Sequence, residues 1–339
     1  MNTAQATAIE LITLPDEQYY TIDDAGLMDL QTRLVAALNG GDLPPPPGAV
    51  PADANFLALS APRTVVPERR DDLPFLLAFR QTGRRQWEVE HDLNARVVLS
   101  DLRTGAVMSE RIFVRPKRML TPDPSMSGPA PGPIEAASLI TGVRRRTGVA
   151  EIFNIEWRPT RYAVTVISYD LASNTVPVEI RSEVRAPEPV EPGMPSPFLT
   201  STAPAKYSPR LEGTGAAVAL PSRVSEGAPI PVYAAVNLPV SRVALTPSSA
   251  PEGGGAGGGG LLLRATLFLL ARDSEYPVQI DAAIPVTPRD VGGVPTVEAY
   301  FGFDALAAAP EPVPAGEYQV YFIVGEALVG PYPLTVAAR

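Results

Sequence analysis

The 339-residue sequence has no cysteine and a single histidine, His91. The first absence excludes disulfides, thiolate metal sites and cysteine nucleophiles together. The second excludes any site built on two histidines. Lysine is scarce as well, since Lys117 and Lys206 are the only two among 28 basic residues. With abundant alanine and proline, that bias has the look of coding from a GC-rich bacterial genome. No Asn-x-Ser/Thr sequon occurs, so nothing hints at glycosylation. The longest apolar run, Leu261–Ala271, is broken by Arg264 and is about half the ~20 residues of a membrane helix. A formal charge of −9 repels a phosphate backbone. Neither nucleic acid nor membrane insertion is therefore expected. Met1–Thr13 lacks the basic start and apolar block of a secretory leader. The cytoplasm is expected if Met1 is the native start, and secretion or the cell surface if a leader was removed.

What is present is apolar enough to fold, with 45% hydrophobic residues. Proline (39) and glycine (27) together make about a fifth of the chain, below the roughly 25–30% of low-complexity sequences. The length suggests roughly two domains. Residues 1–54 read as an N-terminal arm. Ile9–Leu14 reads as a short strand, and a helix is expected over 25–39. Asp23 and Asp24 are its candidate caps, Leu27, Leu30, Leu34, Val35 and Leu38 its apolar stripe, and Gly40-Gly41 its stop. The helix is expected to pack on a neighbouring domain, with Tyr19-Tyr20 anchoring the arm. Pro44–Pro47 form a stiff polyproline segment.

From Phe56 the pattern changes to short strands: Phe75–Arg80, Gln86–His91, Arg96–Leu102, Val107–Val114, Val149–Trp157, Tyr162–Tyr169 and Val176–Val184. Arg103-Thr104-Gly105 reads as a hairpin turn, and Pro116–Pro133 as a loop. This spacing predicts an antiparallel sandwich over 55–186. Residues 187–214 read as a proline-rich linker, and strands resume over 215–339. The glycine block Gly253–Gly260 is followed by Leu261-Leu262-Leu263 instead of Lys-Ser/Thr, so it is no phosphate loop.

The two β regions resemble each other. Tyr162 and Tyr318 stand the same number of residues apart as Pro177 and Pro333, one offset holding over both strands of a terminal hairpin. A period this long points to duplicated domains. Val149–Ile155 also resembles Val297–Phe303, and Arg63 and Val65 answer to Arg223 and Val224. Pro314-x-Gly316-x-Tyr318, followed by alternating apolar residues, resembles the start of the penultimate strand in immunoglobulin-like and fibronectin-type sandwiches. Arg223–Val232 is similar to early strands of bacterial immunoglobulin-like domains. The resemblance implies a corner tyrosine whose hydroxyl bonds nearby backbone. The first region lacks the glycine, and neither has the cysteines and central tryptophan of antibody domains. Such folds are silent on function.

Chemistry is sparse. Alternation sets His91 on the face of Trp87 and Val89, away from Glu88 and Glu90, and no Gly-x-Ser-x-Gly elbow accompanies it. The acid pairs Asp16-Glu17, Asp23-Asp24 and Asp71-Asp72 are adjacent in sequence and read as caps or solvated loops, whereas glycosidase carboxylates must face each other. Arg144-Arg145-Arg146 reads as an exposed hairpin tip, its functional alternative being contact with an acidic partner. Trp87 and Trp157 read as strand packing residues.

The expected fold is all-β, with two immunoglobulin-like antiparallel sandwiches preceded by an arm with one short amphipathic helix. The expected role is non-catalytic, structural or protein-binding, with a protein partner, no cofactor, no metal and an open oligomeric state. The rivals are a secreted or surface adhesin using sandwich-end loops and an enzyme with a loop-built acidic site. A contact surface is expected where Ala95–Ser100 aligns with Ala265–Leu270. The first region's outer face there, Asn94, Arg96, Val98 and Ser100, suits water. The second carries Leu262, Phe268 and Leu270, an apolar stripe that needs a cover. An intramolecular cover is preferred, because the helix stripe Leu27, Leu30, Leu34 and Leu38 also needs a partner.

Overall fold

The structure is a computed structural model that describes residues 3–39, 55–67, 73–85, 95–112, 139–153, 159–181, 209, 211, 213–247, 261–272 and 277–338. Two compact units make up the chain. The first comprises Met1–Leu99, Met108–Pro159 and Val164–Ala186, and the second Ser100–Val107, Thr160–Ala163 and Pro187–Arg339.

The arm is more helical than its sequence suggested. Helix α1 (Thr3–Ile12) occupies the place where a strand was expected from Ile9. The run Ile9–Leu14 looks strand-like in isolation. Upstream, however, Ala4 and Ala8 continue the spacing of Ile12, so the buried face has helical period. A single turn, α2 (Gln18–Thr21), leads to α3 (Asp24–Asn39). The Asp23 carboxylate accepts the Gly26 N–H at 2.9 Å and caps α3.

The first β region contains β1 (Phe56–Ser60), β2 (Thr64–Val65), β3 (Phe75–Thr82), β4 (Ala95–Asp101), β5 (Val107–Arg111), β6 (Leu139–Arg146), the short helix α4 (Val149–Phe153), β7 (Thr160–Ser168), β8 (Leu171–Ala172) and β9 (Val176–Ile180). Its sheets run β1-β3-β6 and β2-β9-β7-β4-β5, with β8 on β7. Two expectations are corrected here. Val149–Phe153 is helical, so its likeness to Val297–Phe303 is one of residue type and not of structure. The arginine triplet is no hairpin tip: Arg144–Arg146 lie within β6, paired with Leu77–Phe75. Glycine and three consecutive arginines disguised a strand whose polar side chains find partners instead of water.

The second region contains β10 (Gly215–Ala219), β11 (Arg223–Ser225), β12 (Pro231–Pro239), a 3-10 turn at Val240–Arg242, β13 (Leu245–Pro247), β14 (Leu261–Ala271), β15 (Val278–Val286), β16 (Arg289–Val291), β17 (Val294–Asp304), α5 (Ala305–Ala308), β18 (Gly316–Val324) and β19 (Ala327–Ala337). Its sheets run β10-β12-β17-β16 and β11-β19-β18-β14-β13, with β15 on β14. Strand alternation sends Val232, Ala234, Val236, Leu263, Leu267, Val297, Phe301, Val320 and Phe322 into one core between them.

The two regions share details of register. Strands β7 and β18 are both nine residues long. Each region opens its larger sheet with a parallel pair, Thr64 beside Glu179 and Arg223 beside Thr335. That pairing sets Val65 opposite Ile180 and Val224 opposite Val336. Tyr318 is buried and its hydroxyl donates to the Pro314 carbonyl at 2.8 Å, the expected corner bond. Tyr162 is equally buried.

A polar node stiffens the β18–β19 turn within the second unit. Glu326 accepts from Arg242 Nε at 2.9 Å and from an Arg161 guanidinium nitrogen at 2.7 Å, and its N–H donates to the Arg242 carbonyl at 2.9 Å. Gly325 (φ +57) makes this approach feasible, since a Cβ there would stand 2.1 Å from that same carbonyl oxygen.

Candidate functional site

The helix stripe is covered within the first unit. Leu30 and Leu34 are buried, with Leu27 and Leu38 half-buried beside them, against Ala8, Ile12, Phe56, Ala58, Leu76, Ala78 and Val143. The arm thus roofs the outward face of its own sheet, β1-β3-β6. Polar bonds hold its other end. Tyr19 shares a short hydrogen bond with Ser60, and Gln5 donates to the Leu57 carbonyl at 2.7 Å. The Asp16 carboxylate accepts the N–H groups of Arg63 and Thr64 at 2.9 and 3.0 Å. Arg145 reaches the carbonyls of Tyr20 and Ile22, both at 3.2 Å. Arg144 lies 5.3 Å from the centre of the Phe79 ring. Burial, and behind it the charge of Arg144, lowers Arg146 from its ordinary value. The arginine cluster is therefore occupied by the first unit's own architecture.

Leu262, Phe268 and Leu270 are buried. Their strand turns Leu263, Ala265, Leu267 and Leu269 to the core, so these three point the other way. On that outward face Gly105 presses against Arg264 so closely that a Cβ would come within 2.3 Å of the Arg264 Cβ. The aligned face of β4 was expected to be wet, yet Arg96, Val98 and Ser100 are buried. Arg96 donates to the Ser109 carbonyl at 3.2 Å, and a polar side chain that finds such a partner need not face water. Asn94, Trp87, His91, Asp71, Asp72 and Trp157 lie outside the described residues.

The apolar surface that does face solvent was missed by the sequence reading. Of five exposed large hydrophobics among the described residues, Val291, Val294 and Tyr300 belong to β16 and β17. Register gathers them on one face. Val297, Phe301 and Phe303 point into the core, so Val294, Thr296, Glu298, Tyr300 and Gly302 point outward. Val291 pairs with Val294 and Arg289 with Thr296. On the neighbouring strand Ala235 lies opposite Tyr300 and Tyr233 opposite Gly302. Ala217 and Ala219 continue both rows onto β10.

The floor of this face is built from small residues for a steric reason. A Cβ on Gly302 would lie 2.7 Å from Tyr233 Cδ1, so only glycine lets that ring lean across the strand. Tyr300 is in register with Ala235, and Ala217 lies beyond it, with 60% of the tyrosine's surface exposed. Between Val294 and Tyr300 on this same face, Thr296 is buried and Glu298 is exposed, its carboxylate 3.9 Å from Arg289. The signal was present in the sequence: β17 carries apolar residues on both periods, Val294 and Tyr300 on one, Val297 and Phe301 on the other. Among the described residues, no three His, Cys, Asp or Glu side chains gather as a metal-binding group, and no helix is long and apolar enough to cross a membrane.

No family model matches this chain, and no curated protein does. Among solved structures, red sea bream transglutaminase aligns over 91% of this chain at 9% identity with a TM-score of 0.19. The chain spans 33% of that protein's length, and a likeness this weak carries no argument about fold or activity.

Proposed function

We propose that the chain is a non-catalytic binding protein built of tandem immunoglobulin-like domains. Strand order supports the domain reading: each region pairs a smaller sheet of early and middle strands with a larger one led by a parallel edge pair. The observation that carries the binding role is the difference between the two smaller sheets. The outward face of β1-β3-β6 is sealed by the arm's own helices, whereas that of β10-β12-β17-β16 presents Val291, Val294 and Tyr300 to solvent. These exposed apolar side chains on one sheet face are the candidate contact surface.

The test is site-specific photo-crosslinking. A photoreactive phenylalanine analogue replaces Tyr300 or Val294 in separate samples, and Met28, equally apolar and exposed on the arm, in a control. Adducts confined to the β17 positions in a native extract support the reading. The same adducts from all three positions would refute it.

A further inference from the structure

We infer that the second unit folds only with two segments of the first β region built into it, closed by an Arg161–Glu326 latch. This does not depend on the binding role proposed above. Chain order alone would divide the protein at the proline-rich stretch 187–214. The second unit nevertheless includes Ser100–Val107 and Thr160–Ala163, which are the β4–β5 turn and the head of β7.

Local bonds first make these two segments one piece. Asp101 is buried, and its carboxylate accepts the N–H groups of Arg103 and Thr104 at 2.8 and 3.3 Å and the Thr160 hydroxyl at 3.2 Å. An aspartate that bonds the backbone following it preorganises a turn. The Leu102 N–H donates to the Arg161 carbonyl at 2.9 Å and ties that turn to β7.

The rest of the second unit receives this piece at three places. Arg161 donates to the Ser241 carbonyl at 2.9 Å and to Glu326 at 2.7 Å. Gln279 donates to the Val107 carbonyl at 3.0 Å. Gly105 sits at φ +74, and a Cβ there would stand 2.3 Å from Arg264 Cβ and 3.1 Å from Ala244 Cβ, so the fit admits no side chain. Exposed ion pairs contribute little, but the Glu326 side chain is only 8% exposed and Arg242 holds its second oxygen. Its geometry is therefore set before Arg161 arrives, which makes this charge-assisted bond the latch. The consequence is a discontinuous folding unit, in which 187–214 is not the only tether.

The test uses the full chain with one specific-protease site introduced within 187–208, cut to completion and examined by sedimentation velocity. The two pieces are expected to sediment together, as the uncut chain does. Arg161→Ala should weaken their association at least fivefold and Gly105→Ala at least tenfold, while Met28→Ala leaves it unchanged. The Arg161 side chain is 44% exposed, so its removal should leave the uncut chain folded, which circular dichroism of each uncut variant checks. Separation of the pieces in the unsubstituted protein overturns the inference. So does association that persists with the same dissociation constant in Arg161→Ala, because the pieces would then be held by something other than the latch.

Discussion

Truncating Leu34 to alanine measures how firmly the arm is seated. The side chain is fully buried among Ala8, Ile12, Leu30 and the outward face of β1-β3-β6. Leu→Ala removes three carbon groups, about 2.4 kcal/mol at ~0.8 kcal/mol each. A cavity contribution follows, because neighbours such as Ala8, Ala58 and Ala78 are too short to collapse inward. The expected cost is about 3–4 kcal/mol, within the range for buried leucine truncations. Leu27→Ala, at a half-buried position, should cost less, and Met28→Ala, 71% exposed, within about 0.5 kcal/mol. Native-state hydrogen exchange reads the outcome directly. Protection over residues 3–39 should fall by the stated amount in Leu34→Ala, because the arm opens as one unit. Equal, small effects at positions 28 and 34 would refute a seated arm.

Gly325→Ala should be among the most destabilising changes in the second unit. The left-handed backbone costs about 1–2 kcal/mol with a Cβ, and overlap with the immobile Arg242 carbonyl adds about 1–3. A loss below about 1 kcal/mol in denaturant unfolding contradicts the close approach. Tyr318→Phe should cost about 1 kcal/mol and no more, since Pro314 is exposed and water can replace the lost donor at its carbonyl. An unchanged midpoint would mean that this corner bond adds nothing.

Much of the architecture was legible in local pattern. Short apolar runs bounded by turn residues placed β3, β4, β7 and β9, and alternation placed the β14 core face, Ala265, Leu267 and Leu269. The α3 stripe and its Asp23 cap follow from equally short-range rules. The failures share a cause. The helix at Thr3–Ile12 depends on alanines whose burial is decided by the sheet beneath them, and strand β6 on arginines whose partners come from the distant arm and from Phe79. For the candidate site, the sequence by itself determined that β17 would set Val294 and Tyr300 on the face opposite Val297 and Phe301, and that β14 would carry Leu262, Phe268 and Leu270. It did not determine which of these faces would stay wet. Tertiary structure decided that, burying the β14 stripe and leaving Val294 and Tyr300 in solvent. Solvent exposure depends on which distant residues arrive above a surface, and strand periodicity specifies only the side on which each residue waits.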